Sequence, residues 1–80
     1  MISNLQIRAG RALLGWSQGK LADEAGVSVI TVKRLEASDD DVQSRAGTID
    51  KVMSALQRGG VAFPKDEGGF GHRVQLRRRD

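Results

Sequence analysis

The residues best suited to meet a ligand gather in one short stretch, Ser28, Val29, Ile30, Lys33 and Arg34. Arginine presents a planar fork that pairs with guanine O6 and N7. Serine bonds a base edge or a phosphate, and valine or isoleucine can meet a thymine methyl. The adjacent apolar pair Val29-Ile30 is either core or partner-facing. Val32 and Leu35 already supply an inward stripe, which favours the second reading. Arg34 is either a solvated helix charge or a base or phosphate contact. Gln18 opens the preceding helical segment, where free N–H groups and the helix dipole favour a phosphate. Catalytic chemistry finds no comparable grouping. His72 is a lone histidine without ligand-spaced partners, and no Ser–His–Asp set falls together. Gly68-Gly69-Phe70-Gly71 lacks the Lys-Ser/Thr ending of a phosphate loop and reads as a turn. No enzyme, metal or cofactor is expected.

These side chains need elements that aim them. Apolar residues recur at helical spacing up to Gly59-Gly60, and short β-type runs follow. A first helix is expected over Ile2 to Leu14, capped by Ser3 or Asn4 and ended at Gly15. Ser17 is the natural N-cap of a second helix, Gln18 to Ala25, with Leu21, Ala22 and Ala25 inward. Gly26 stops it, and Ser28 caps a third. Two short helices joined by Gly-Val-Ser cannot lie antiparallel, so they must cross steeply as a helix-turn-helix. That turn leaves the N-terminus of the third helix exposed, and an α-helix fits the major groove of DNA with its first turn at the base edges. A fourth helix is expected from Thr48, with Ile49, Val52, Met53 and Leu56 on one face. Trp16 reads as core. Beyond residue 60, Phe63, Val74 and Leu76 would share the apolar face of a strand or hairpin.

Composition sets outer limits. The 80-residue chain has 13 Lys+Arg against 10 Asp+Glu, no cysteine, and a formal net charge of +3. That is one domain, divided here into residues 1–60 and a C-terminal extension, 61–80. Without cysteine there is no disulfide staple, thiolate zinc site or cysteine nucleophile. The mild basicity permits a polyanionic partner without demanding one, and Arg77, Arg78 and Arg79 read as a solvated tail or a non-specific DNA contact. No apolar run approaches the ~20 residues of a membrane span, and the opening residues lack a signal-peptide pattern. A cytoplasmic protein is expected.

With Arg11, Trp16-Ser17-Gln18, Leu21-Ala22, Ala25-Gly26-Val27-Ser28, Val32 and Leu35-Glu36 in place, the chain resembles the phage-repressor and Cro-like (XRE-type) helix-turn-helix regulators of bacteria. The likeness covers about residues 3–60. It implies a mainly α, four- to five-helix, lambda-repressor-like DNA-binding domain, here with a short C-terminal β-hairpin or strand extension. It also implies that Ser28, Val29, Ile30 and Arg34 face bases, that Ser17, Gln18 and the loop after the third helix touch phosphates, and that Arg11 and Glu36 form a buried ion pair. Lys33 joins the phosphate set. The sequence departs from the family in a longer loop carrying Asp39, Asp40 and Asp41, whose carboxylates would weaken phosphate contact. Arg45, the loop's cation, is its phosphate candidate.

One recognition helix makes few base contacts, and dimers gain specificity by docking two about 34 Å apart. A homodimer on a two-fold operator in double-stranded DNA is therefore expected, with Phe63, Val74 and Leu76 as its interface. Packing of the same residues on the fourth helix is the alternative. Two other functions fit the same fold: an antitoxin that binds a toxin protein, and a protein-interaction module without DNA binding.

Overall fold

A computed structural model describes residues 2–38, 46–64 and 73–77. Four helices occur among them: α1 (Asn4–Leu14), α2 (Gln18–Ala25), α3 (Val29–Ala37) and α4 (Ala46–Gly59). Strands β1 (Val61–Ala62) and β2 (Gln75–Leu76) follow.

The helix boundaries have local chemical causes. Ser3 and Gln6 make a reciprocal capping box at the start of α1. The Gln6 N–H donates to Ser3 Oγ at 3.2 Å, and the Ser3 N–H to Gln6 Oε1 at 2.8 Å. Helix α1 therefore begins at Asn4 rather than at Ile2, and Ile2 instead turns into the core, 4% exposed. At the end of α2, Gly26 takes φ 71°, and the Val27 N–H returns to the Ala22 carbonyl at 3.0 Å. This closure turns the chain sharply into α3 and needs a residue free of the left-handed penalty that a Cβ imposes.

The core joins all four helices and the first strand. Ile7, Leu21, Val32, Leu35, Ile49, Val52, Leu56 and Val61 are each 2% exposed or less. On α4 the buried residues Ile49, Val52 and Leu56 fall on one face, as their spacing predicts. Truncating a buried leucine such as Leu56 to alanine would cost about 2–5 kcal/mol. Trp16 and Leu14 pack on the edge of this core. They lie so near α4 that a Cβ on Gly59 would sit 2.7 Å from Leu14 Cδ1 and 2.9 Å from the Trp16 ring. Any larger residue at 59 would therefore push the Leu14 and Trp16 side chains aside, and the constraint comes from close approach and not from backbone angles.

The tail runs back over the helices. Strands β1 and β2 pair antiparallel with Val61 opposite Leu76 and Ala62 opposite Gln75. The pairing is shorter than the run from His72 to Arg77 suggests, and Phe63 lies beyond β1. Val61 is wholly buried, Phe63 and Val74 pack in part on the core of their own chain, and Leu76 stays 51% exposed. Gln6 fastens the tail to α1 by donating Nε2–H to the Arg73 carbonyl at 2.7 Å. The charged loop Asp39–Asp41, Arg45, Gly68–Gly71, His72, Arg78 and Arg79 lie outside the described residues.

Candidate nucleic-acid interface

Helix α3 divides into two faces. Val32, Leu35 and Glu36 point inward and are buried. Ser28, Val29, Ile30, Lys33 and Arg34 are exposed. Val29 and Ile30, at 37% and 57% exposure, are among the large apolar side chains most open to water. Neither is core. The inward face is complete without them, so the pair presents an apolar step beside two cations.

The cap fixes where that step points. Ser28 Oγ accepts from the Thr31 N–H at 3.1 Å and lies 2.9 Å from Thr31 Oγ1. The hydroxyl is committed to holding the first turn of α3, so its remaining hydrogen-bonding capacity is what a base or phosphate would meet. Ser17 plays the same part for α2, accepting from the Lys20 N–H at 3.0 Å.

Behind the exposed face lies a polar cluster tying three helices together. Arg11 of α1 donates Nε–H to Glu36 Oε2 at 2.8 Å and a second hydrogen to Glu36 Oε1 at 3.0 Å. This bidentate fork is the geometry arginine is shaped for. Arg11 also donates to the Trp16 carbonyl at 2.9 Å, which binds it to the turn between α1 and α2. Gln18, at the first position of α2, adds Nε2–H to Glu36 Oε1 at 3.1 Å. Asn4 Nδ2 donates to the Glu36 carbonyl at 3.3 Å. Glu36 is 5% exposed and Arg11 24%. The Arg11 guanidinium is held above its ordinary pKa by the hydrogen bond to Glu36, against the opposing effect of burial.

A second ion pair shows the contrast. Lys20 and Glu24, four residues apart on α2, meet at 2.9 Å, both well exposed. Their hydrogen bond raises the lysine pKa and lowers that of the glutamate. Water and salt screen such a pair, and it contributes little to stability. Lys20 Nζ also lies 5.8 Å from the Trp16 ring centroid.

Between α1, α2 and α3 opens a shallow cleft of about 320 Å³, lined by Arg8, Arg11, Gln18, Lys33, Glu36 and Ala37. The structure thus brings Gln18 and Lys33 together with the ion pair. It places Phe63, Val74 and Leu76 apart from them, at the tail. Arg8 was missing from the residues read off the sequence. Its signal was present, since it stands three residues before Arg11 and so shares a helix face with it. Among the described residues no group of three or more His, Cys, Asp or Glu could hold a metal ion.

Four helices, a tight α2–α3 corner and an exposed first turn on α3 define a helix-turn-helix protein. Residues 7–59, more than half the chain, match the model of the helix-turn-helix family, and the chain belongs to it. Within that family the domain is of the XRE, Cro and repressor-like kind, a DNA-binding regulatory domain. No curated protein matches the chain. No helix among the described residues is long and apolar enough to cross a membrane.

Proposed function

We propose that this protein is a sequence-specific transcriptional regulator, a repressor in the first instance, that reads double-stranded DNA with the first turn of α3 in the major groove. The observation that carries this is the exposed Val29-Ile30 step beside Lys33 and Arg34, on a helix whose inward face is already full. Arg34 and the Val29-Ile30 step take base edges, and Ser28 contributes whatever its cap leaves free. Gln18, Ser17 and Lys33 take phosphates, which fix the register without carrying sequence information. The carboxylate-bound Gln18 side chain keeps one amide hydrogen for such a contact. Arg45, in the connection after α3, is a further phosphate candidate.

The regulator acts as a homodimer on a two-fold site, because one recognition helix alone makes too few base contacts. Phe63 and Val74 lie partly against their own core, so Leu76 offers the most exposed apolar surface of the proposed tail interface. Leu5 and Leu13, 51% and 43% exposed on α1, favour a protein partner as a second reading, including a toxin.

Operator selection from a random duplex library at stated salt is the direct test. On the selected site Arg34→Ala should cost roughly 1–3 kcal/mol and relax preference at one base pair, whereas Gln18→Ala should weaken all duplexes alike. Unchanged affinity and preference in Arg34→Ala would overturn the assignment of α3. Sedimentation of Leu76→Asp then tests the interface, and an undiminished dimer would remove the tail from it.

A further inference from the structure

Among the described residues the large apolar side chains open to water are Leu5, Leu13, Val29, Ile30 and Leu76. Val29 and Ile30 belong to the proposed reading face, and Leu76 to the proposed tail interface. Leu5 and Leu13 remain, 51% and 43% exposed, and both lie on α1. With Ala9 and Ala12 they recur at i, i+4, i+7 and i+8, which is one stripe of a helix. Helix α1 therefore carries two apolar faces. The inner one, with Ile7 and Gly10, is buried in the core. The outer one sets its leucines about 12 Å apart along the axis, with the two alanines between them. Such a notch lets the backbone of another helix come close between two side-chain ridges. Ala9 is two residues from Arg11 and so nearly across the helix axis from it. Arg11 grips Glu36 of α3, so the outer stripe points away from the reading helix.

The charge around that stripe is of one sign. The first acidic residue of the chain is Asp23, and residues 1–22 hold Arg8, Arg11 and Lys20. Arg11 is engaged by Glu36. Arg8, at the edge of the stripe, is exposed and in no ion pair among the described residues. Strand β2 packs on α1 and is flanked by Arg73 and Arg77, also exposed and without an ion pair among the described residues. A second copy set on α1 by a two-fold axis would meet the same arginines and no carboxylate. We infer that the outer stripe of α1 docks an acidic amphipathic helix of another protein, its apolar residues over Ala9 and Ala12 and its carboxylates toward Arg8 and the strand arginines. The inference rests on the protein-partner reading of Leu5 and Leu13, supplies the chemistry of that partner, and does not depend on DNA.

Fluorescence anisotropy of a labelled synthetic peptide, titrated with the full chain, tests this. The probe is an amphipathic helix with leucines on one face and glutamates on the other, and its control carries lysines in place of the glutamates. The glutamate peptide should bind and the lysine peptide should not. Leu5→Ser/Leu13→Ser should weaken binding roughly tenfold or more, with the melting temperature and duplex affinity of the wild type retained. Arg8→Glu should weaken the glutamate peptide and gain the lysine peptide, a reversal that loss of folding cannot mimic. Ile30→Ser and saturating duplex should leave peptide binding unchanged. Equal binding of both peptides, still lost in the leucine variant, would overturn the acidic partner and keep the partner reading. An unaffected leucine variant would overturn both. Displacement of the peptide by duplex would place it on α3 and remove the docking face. A wild-type dimer that the leucine variant dissociates in sedimentation would make a second copy the occupant, against the proposal. Duplex binding in the same samples judges the regulator reading separately.

Discussion

At the start of α2, Ser17 accepts from the Lys20 N–H at 3.0 Å; at the start of α3, Ser28 accepts from the Thr31 N–H at 3.1 Å. The caps are alike, and the residues just after them are not. Gln18 is drawn back to Glu36 and takes part in a cluster spanning three helices. Val29 and Ile30 stand in solvent. One helix end is tied down to hold a fixed shape, which suits the backbone contact proposed for it. The other is held by its cap and its inward face, leaving its outer side chains free for the base contacts proposed above. Rigidity and exposure have been divided between two neighbouring helix ends.

Breaking the cluster should have the largest effect. Arg11→Ala leaves the Glu36 carboxylate buried without its countercharge and should cost about 3–5 kcal/mol in urea unfolding. Glu36→Ala should cost less, because the Arg11 guanidinium is partly exposed and can be rehydrated. Equal costs would show that the cluster is more open to water than its geometry indicates. The two caps come next. Ser17→Ala and Ser28→Ala should each lose ~1 kcal/mol of stability, since each leaves an orphan N–H in a first turn. A clear difference between them would show that the Gln18–Glu36 bond shares the work of the first cap. The smallest effect on folding is expected at Ile30. Ile30→Ala should stay within about 0.5 kcal/mol of wild type in stability and still alter base preference in a selection experiment. A large loss of stability there would place the side chain in contact with the fold and remove it from the reading face.

Much of this division was legible in the sequence, for reasons that are local. Ser17, Gly26 and Ser28 mark helix ends by hydrogen bonding and backbone angle within a few residues, so the corner could be read without tertiary information. The outward position of Val29 and Ile30 followed from Val32 and Leu35 filling the inner stripe. The start of α1 was less legible because Ser3 and Asn4 are both good caps, and only the reciprocal bond with Gln6 decides between them. The tight fit at residue 59 was hidden, since it arises from Leu14 and Trp16, distant in sequence. The same holds for the cleft. Arg8 is unremarkable on α1 until α2 and α3 bring Gln18 and Lys33 beside it. The pairing of Phe63 and Val74 with their own core depends on how the tail returns, which apolar alternation does not encode.

The bond from Gln6 to the Arg73 carbonyl joins positions 67 residues apart. Helices α2 and α3, neighbours in sequence, pack on each other, and such contacts form early because closing a short loop costs little chain entropy, whereas α1 reaches α3 and α4 across intervening helices. The bond to Arg73 closes nearly the whole chain. During synthesis Arg73 emerges after all four helices. The topology therefore carries a temporal order: a helical body that can assemble as it emerges, and a clasp that sets only when β2 follows it.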